Sequence, residues 1–353
     1  MKRNRKGWIQ GVSVMILVIG VMVFPAGAAS KFPPAIEKLI PQAKAEGEVS
    51  LFTGSVKVTA KEQERFSQAF SKHYGIPVKV NLAGLGSHPE VIQRLREEAK
   101  VGVKPAVDVF NTAIKFLQGL KQANLIEAID WKDFGVNEKD VFPTLYAADI
   151  QTNVRAVVYN TNLVKKADAP RKYEDLLDKR WKGKIVAPGN AQIFPFIALI
   201  MGEEAGINLV KRLVEDQKLA FTTTVTDVAV RVANGEFLIG YGYSAEIDKK
   251  RGAPIENAPM KFGAFRQCSV VLKNVAHPAA GRLLVHFMAT VPEGKKLIHE
   301  ILNWGKYDTP GTEAYELAQG SGLLFAKDVG DEIEWETKEN PRLSERFQKV
   351  LGL

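Results

Sequence analysis

Apolar residues along the chain alternate between two periods. Val49-Ser50-Leu51-Phe52 is strand-like and ends at Thr53-Gly54-Ser55. From Thr59 to Tyr74 the apolar positions Phe66, Ala69, Phe70 and Tyr74 fall on one helical face. Val78 to Leu82 predicts a second strand. It runs into Gly84-Leu85-Gly86-Ser87, and a helix follows with Ile92, Leu95 and Ala99 inward. Val107 to Phe110 is a third strand, ending at Asn111-Thr112. This β-α-β-α-β order implies a mostly parallel sheet with right-handed crossovers.

An extended run from Asn153 to Thr161 separates this set from a second one. There Gly183 to Ala187, Leu219 to Thr222 and Phe237 to Tyr241 read as strands. Phe194 to Met201 begins a helix, and Asp227 to Asn234 forms a short one stopped at Gly235. A further extended run, about Lys261 to Leu272, leads into a helical tail from His277 onward. Two α/β lobes joined by two extended strands fit this order, the second inserted in the first. The expected division is residues 29–155 and 270–353 for lobe 1 and 156–269 for lobe 2.

The N-terminus departs from this pattern. Lys2, Arg3, Arg5 and Lys6 precede an apolar run of about 13 residues, short of the ~20 needed to span a bilayer. Pro25-Ala26-Gly27-Ala28 then supplies a small-residue exit, so residues 1–28 read as a cleaved signal peptide and the protein as periplasmic. No cysteine follows for lipoprotein processing. Removing the four basic residues lowers the formal charge from +8 to +4, so the basicity does not argue for nucleic acid. Hydrophobic residues make up 46% and charged residues 25%, ordinary for a globular chain long enough to bury two cores without a disulfide. The single cysteine, Cys268, lies in a strand-like run and reads as a buried small hydrophobe. The five histidines show no zinc spacing.

In open sheets ligands lie beyond the carboxyl ends of the strands. Those positions here are rich in small hydroxyl and amide residues: Thr53, Ser55, Ser87, Asn111 and Thr112 in the first lobe, Asn190, Gln192, Thr222, Thr223 and Thr224 in the second. Thr59 with Glu62 and Ser87 with Glu90 form capping-box patterns, and Thr226-Asp227 offers a third cap. Helix N-termini favour anions, but the same residues occur simply to cap helices and form turns. Tyr241 and Tyr243, two apart at a strand end, are expected to face the same side, either as cleft wall or as ordinary sheet residues. Arg155 lies where the chain first crosses between lobes. It is either a counter-ion for an anionic solute or half of a structural ion pair, because an unpaired buried charge is costly.

Val157 to Leu163, Tyr173 to Asp178, Trp181 to Ile185, Gly235-Glu236 and Gly252 to Glu256 follow in an order that resembles the family 1 extracellular solute-binding proteins, especially the ferric-ion-binding branch. The resemblance covers most of the chain beyond residue 28. It implies an α/β, two-lobed type II periplasmic-binding-protein fold with two mixed, mostly parallel sheets and a two-strand hinge. It also implies an inner-membrane ABC permease as partner, a monomer and no cofactor. Ferric-binding members carry adjacent tyrosines, anionic oxygen ligands for a hard cation, about ten residues after the Gly-Glu pair; here Ala245 and Glu246 align with them.

The leading expectation is therefore a small organic anion, hydrogen-bonded by Thr53, Ser55, Ser87, Thr112, Asn190, Thr223, Tyr241 and Tyr243 and balanced by Arg155 or helix N-termini. The alternative is ferric iron on Tyr241, Tyr243 and Glu246. An enzyme on this fold is a remote third reading, because the chain has no phosphate loop, nucleophile elbow or zinc motif. A sensory role is not separable from transport at this level.

Overall fold

The computed structural model describes residues 32–54, 56–328 and 330–352; the signal-peptide reading and Ser55 lie outside them. The chain opens with α1 (Pro34–Glu46), β1 (Glu48–Phe52), α2 (Ala60–Tyr74), β2 (Lys79–Ala83), α3 (His88–Lys100), β3 (Val109–Ala113) and α4 (Ile114–Gln122). β1 pairs in parallel with β2 and β3. Then β4 (Val141–Phe142) and β5 (Ala147–Arg155) add to the other side of this sheet.

One residue beyond Arg155 the chain enters a second sheet. β6 (Val157–Asn160), β7 (Ile185–Pro188), α5 (Pro195–Met201), α6 (Glu203–Glu215), β8 (Ala220–Thr222), α7 (Val225–Ala233), β9 (Ile239–Tyr241), α8 (Glu246–Lys250) and β10 (Ile255–Asn257) build it. β11 (Phe262–Val271) returns to the first sheet and pairs with both β3 and β5. Residues 262–269, which the sequence pattern assigns to the inserted lobe, thus lie in the larger sheet. α9 (Pro278–Thr290), α10 (Pro292–Leu302), α11 (Glu313–Gln319) and β12 (Leu323–Phe325) follow. The strand orders are β2-β1-β3-β11-β5-β4, with β12 on β11, and β10-β6-β9-β7-β8. Both sheets are mixed. Antiparallel pairings are as frequent as parallel ones, because β11 runs against β3 and β5, β6 against β9 and β10, and β4 against β5.

The local signals act as their chemistry requires. Thr59 Oγ1 accepts from the Glu62 N–H at 3.3 Å, and Glu62 Oε2 accepts from the Thr59 N–H at 2.8 Å. At α7 the cap is Thr224, which accepts from the Asp227 N–H at 3.2 Å; Thr226, the expected cap, is already helical. The larger core packs Phe52, Phe66, Phe70, Phe110 and Phe287 between sheet and helices, with Phe52 and Phe110 stacked at 4.4 Å. Cys268 is fully buried there, and burial pushes its thiol pKa up, so it is inert packing.

The C-terminus belongs to both lobes. α12 (Glu332–Glu334), a π-turn (Trp335–Glu339) and α13 (Asn340–Leu351) form one helical run. Pro341 has no N–H for the Thr337 carbonyl, and the Asn340 N–H bonds back to Trp335 O, which widens the turn. At one end Glu332 accepts from Arg266 of β11. At the other, Leu343, Phe347 and Leu351 pack into the smaller lobe's core, and Arg342 grips Glu203 of α6 with both terminal nitrogens, at 2.8 and 2.6 Å. Lobe 1, expected to hold all of 270–353, therefore gives α13 to the smaller lobe. Between the lobes Phe196, Phe265 and Trp335 form an apolar cluster. Gly263 belongs to the same junction: a Cβ there would lie 2.8 Å from Phe196 Cβ, so only glycine lets β11 pass α5 this closely.

Candidate functional site

A cavity of about 260 Å³ lies where the two sheets meet. The larger lobe contributes Gln151 to Arg155 at the end of β5, Val56 after β1, and Leu302 to Gly305 after α10. The smaller lobe contributes Val225 and the loop from Gly242 to Ile247, and Glu313 and Ala314 close the wall. A second depression of about 490 Å³, between α4, residues 189–192 and α13, is bridged by Lys115 Nζ, which donates to Gln192 Oε1 at 2.7 Å across the lobes.

Arg155 is the cation of the first cavity. Its guanidinium carbon lies 4.8 Å from the centre of the Phe265 ring and 5.7 Å from that of Phe196. Among the described residues its one hydrogen bond is a long one, 3.5 Å from Nη1 to Gly242 O, and its buried Nε has no partner. Among the described residues no carboxylate lies within 4 Å of it. Glu336 on the π-turn attracts it from farther away. Of the two readings open for this residue, the structural ion pair is not formed at contact distance among the described residues.

The carboxylates of the cavity differ from one another. Glu246 is satisfied: Lys250 Nζ donates at 2.9 Å and His299 Nε2 lies at 2.5 Å. Burial opposes its ionisation, yet these partners hold its pKa below the usual value. Among the described residues Glu313 accepts from neutral donors alone, Asn257 Nδ2 at 2.6 Å and the Ser244 hydroxyl. Burial raises its pKa to about 7 against the pull of the Ser244 hydrogen bond.

Of the sequence candidates, Arg155, Tyr243 and Glu246 line the cavity. Tyr241 does not: it is buried, packed 5.5 Å from Phe194, and its hydroxyl donates to Ile193 O at 2.9 Å. Tyr243 packs on the opposite face of the sheet and donates to Asp248. The two tyrosines face opposite ways because Gly242 between them has φ +89°, which breaks the strand's alternation. Tyr241, Tyr243 and Glu246 accordingly do not converge. Thr53 and Thr112 sit at the ends of β1 and β3 with buried hydroxyls that have no partner among the described residues, outside the cavity wall. Ser87 and Thr223 are exposed. Asn190 is exposed at the second depression, where it caps the Gln192 N–H at 3.0 Å. Glu313 and Ser244 were not among the candidates. The one local signal for Glu313 is Thr312, which accepts from the Tyr315 N–H at 3.2 Å and starts α11.

Residues 104–300 match the family model of the bacterial extracellular solute-binding proteins, more than half of the chain. The chain belongs to this family. As a solute-binding protein it takes a small-molecule ligand, and its partner is an ABC permease. No curated protein matches it by sequence. Solved structures share its fold. Iron-bound HitA from Pseudomonas aeruginosa is 19% identical over 87% of this chain and 99% of its own, with a TM-score of 0.61. AfuA from Actinobacillus pleuropneumoniae, with exogenous fructose-6-phosphate bound, is 18% identical over 87% and 99%, with a TM-score of 0.60. An ABC transporter substrate-binding protein from Bradyrhizobium japonicum is 13% identical over 86% and 99%, with a TM-score of 0.67. This solute-binding protein thus has the two-lobed type II periplasmic-binding-protein fold, with the cavity between its lobes.

Proposed function

We propose that this protein captures a small organic anion between its lobes and delivers it to an ABC permease. The observation that carries the reading is Arg155: a cation beside two rings in an inter-lobe cavity, with no carboxylate within 4 Å among the described residues. Leaving such a charge unpaired away from water is costly, and an anionic solute removes that cost. The cavity is smaller than the ~300 Å³ at which drug-sized sites begin, which favours a compact solute. Walls from both lobes let the solute bind the closed form better than the open one, which is what drives closure. The Lys115–Gln192 bridge is the kind of contact that closure makes.

The test is a thermal-shift screen of carboxylates, phosphonates, sulfonates and sugar phosphates, with ferric citrate alongside. A solute at 100 times its dissociation constant adds about 2.7 kcal/mol of stability. A shift with an anion that disappears in Arg155→Met supports the reading. A shift with ferric citrate and a visible absorption band, with none for the anions, overturns it in favour of iron.

A further inference from the structure

Two charged side chains of opposite sign line the same cavity without meeting. Arg155 has no carboxylate within 4 Å, and Glu313 has no cation within that distance, among the described residues. Flexible side chains of opposite charge would close such a gap, but both are held. Arg155 lies against Phe265 and Phe196. Glu313 takes one hydrogen bond on each oxygen, from Asn257 and from Ser244. A carboxylate oxygen accepts two, so each keeps an acceptor site, and Glu313 lines the cavity. The neighbouring Glu246 shows what a balanced carboxylate looks like here, since Lys250 and His299 both reach it.

We propose that the solute is a zwitterion, its anionic group on Arg155 and its ammonium group on Glu313, an inference that rests on the anion reading of the cavity. The raised pKa of Glu313 fits: in the empty cavity its charge is poorly compensated, and a solute ammonium supplies the missing partner. Fixing both poles before binding reduces the ordering cost and selects for the separation of charges in the solute. Rejection follows by the same route. An anion of equal size without the ammonium leaves Glu313 buried and unpaired.

The experiment compares matched probes by calorimetry on the full exported protein: β-alanine with propionate, taurine with ethanesulfonate. At least one zwitterion is expected to bind about ten-fold or more tighter than its anionic partner, roughly 1.4 kcal/mol. Glu313→Gln should abolish that preference while the anion's own affinity persists, and Arg155→Met should abolish binding of both. The wild-type comparison stands even if a variant fails to fold. Anions binding as tightly as their zwitterions, still dependent on Arg155, would overturn the zwitterion and keep the anion reading. Binding of putrescine alone, dependent on Glu313, would overturn the anion reading and the zwitterion with it. No response to any probe would overturn both.

Discussion

Arg155 and Arg266 lie on neighbouring antiparallel strands of one sheet, three register positions apart, and both are withdrawn from solvent. Their surroundings differ. Arg266 donates from Nε to Glu332 at 2.9 Å, from Nη2 to the same carboxylate, and from Nη1 to Lys139 O at 3.0 Å. Asp149 stands 4.0 Å away and is shared with Lys306, which also pairs with Asp140 at 2.6 Å. Each guanidinium nitrogen of Arg266 has a hydrogen-bond partner in the chain itself. Arg155 is answered by two aromatic rings and one long contact. A saturated buried charge is scaffold, and removing it harms the fold. An unsaturated one in a cavity is receptive, and removing it harms recognition.

The largest expected effect breaks the saturated side. Arg266→Ala leaves Glu332 buried without its cation and Asp149 with Lys306 alone, and should cost about 3–5 kcal/mol of unfolding free energy in denaturant titration. A loss under ~1 kcal/mol would mean that the network does not hold α12 to β11. Arg155→Met should do the reverse: solute affinity falls by about 2–5 kcal/mol, while apo stability changes by less than ~1 kcal/mol. If both arginines cost the same stability, the distinction between them collapses. Tyr241→Phe tests a polar group assigned to the core. Losing the hydroxyl leaves Ile193 O unpaired and should cost about 1–3 kcal/mol with solute affinity unchanged; a fall in affinity would return Tyr241 to the cleft.

The smallest effect is one of pH. The Glu313 pKa is raised from 4.5 to about 7, so the folded protein holds this proton more tightly than the unfolded chain does. Its contribution to stability is neutral below the unfolded value and becomes increasingly unfavourable as pH rises from about 4.5 to 7. Glu313→Gln should therefore raise the apo melting temperature at pH 8 and leave it nearly unchanged at pH 4. Equal shifts at both would place the carboxylate in a solvated environment.

The layers were legible because they depend on local periods: the strands after Glu48, the Thr59–Glu62 box and the long strand around Cys268 follow from spacing and capping chemistry. Arg155 stood out because a charge where the chain crosses between lobes needs water or a partner. What escaped the sequence depends on tertiary partners. Alternation predicts a shared face for Tyr241 and Tyr243 only if the backbone stays extended, and Gly242 turns it. The apolar stripe of Leu343, Phe347 and Leu351 shows that α13 is buried, not on which lobe. Glu313 gains its meaning from Ser244 and Asn257, which lie 69 and 56 residues away.

The helical run that starts on Arg266 and ends on α6 also makes the molecule a gauge of its own conformation. α1 packs with the larger lobe's core and α13 with the smaller one's. Lys38 and Lys349 are exposed on these helices, and the native thiol, Cys268, is fully buried. Cysteines introduced at those two positions would take a donor and an acceptor dye while the native one stays dark. The ends of the chain would then report lobe separation optically, without a label near the solute.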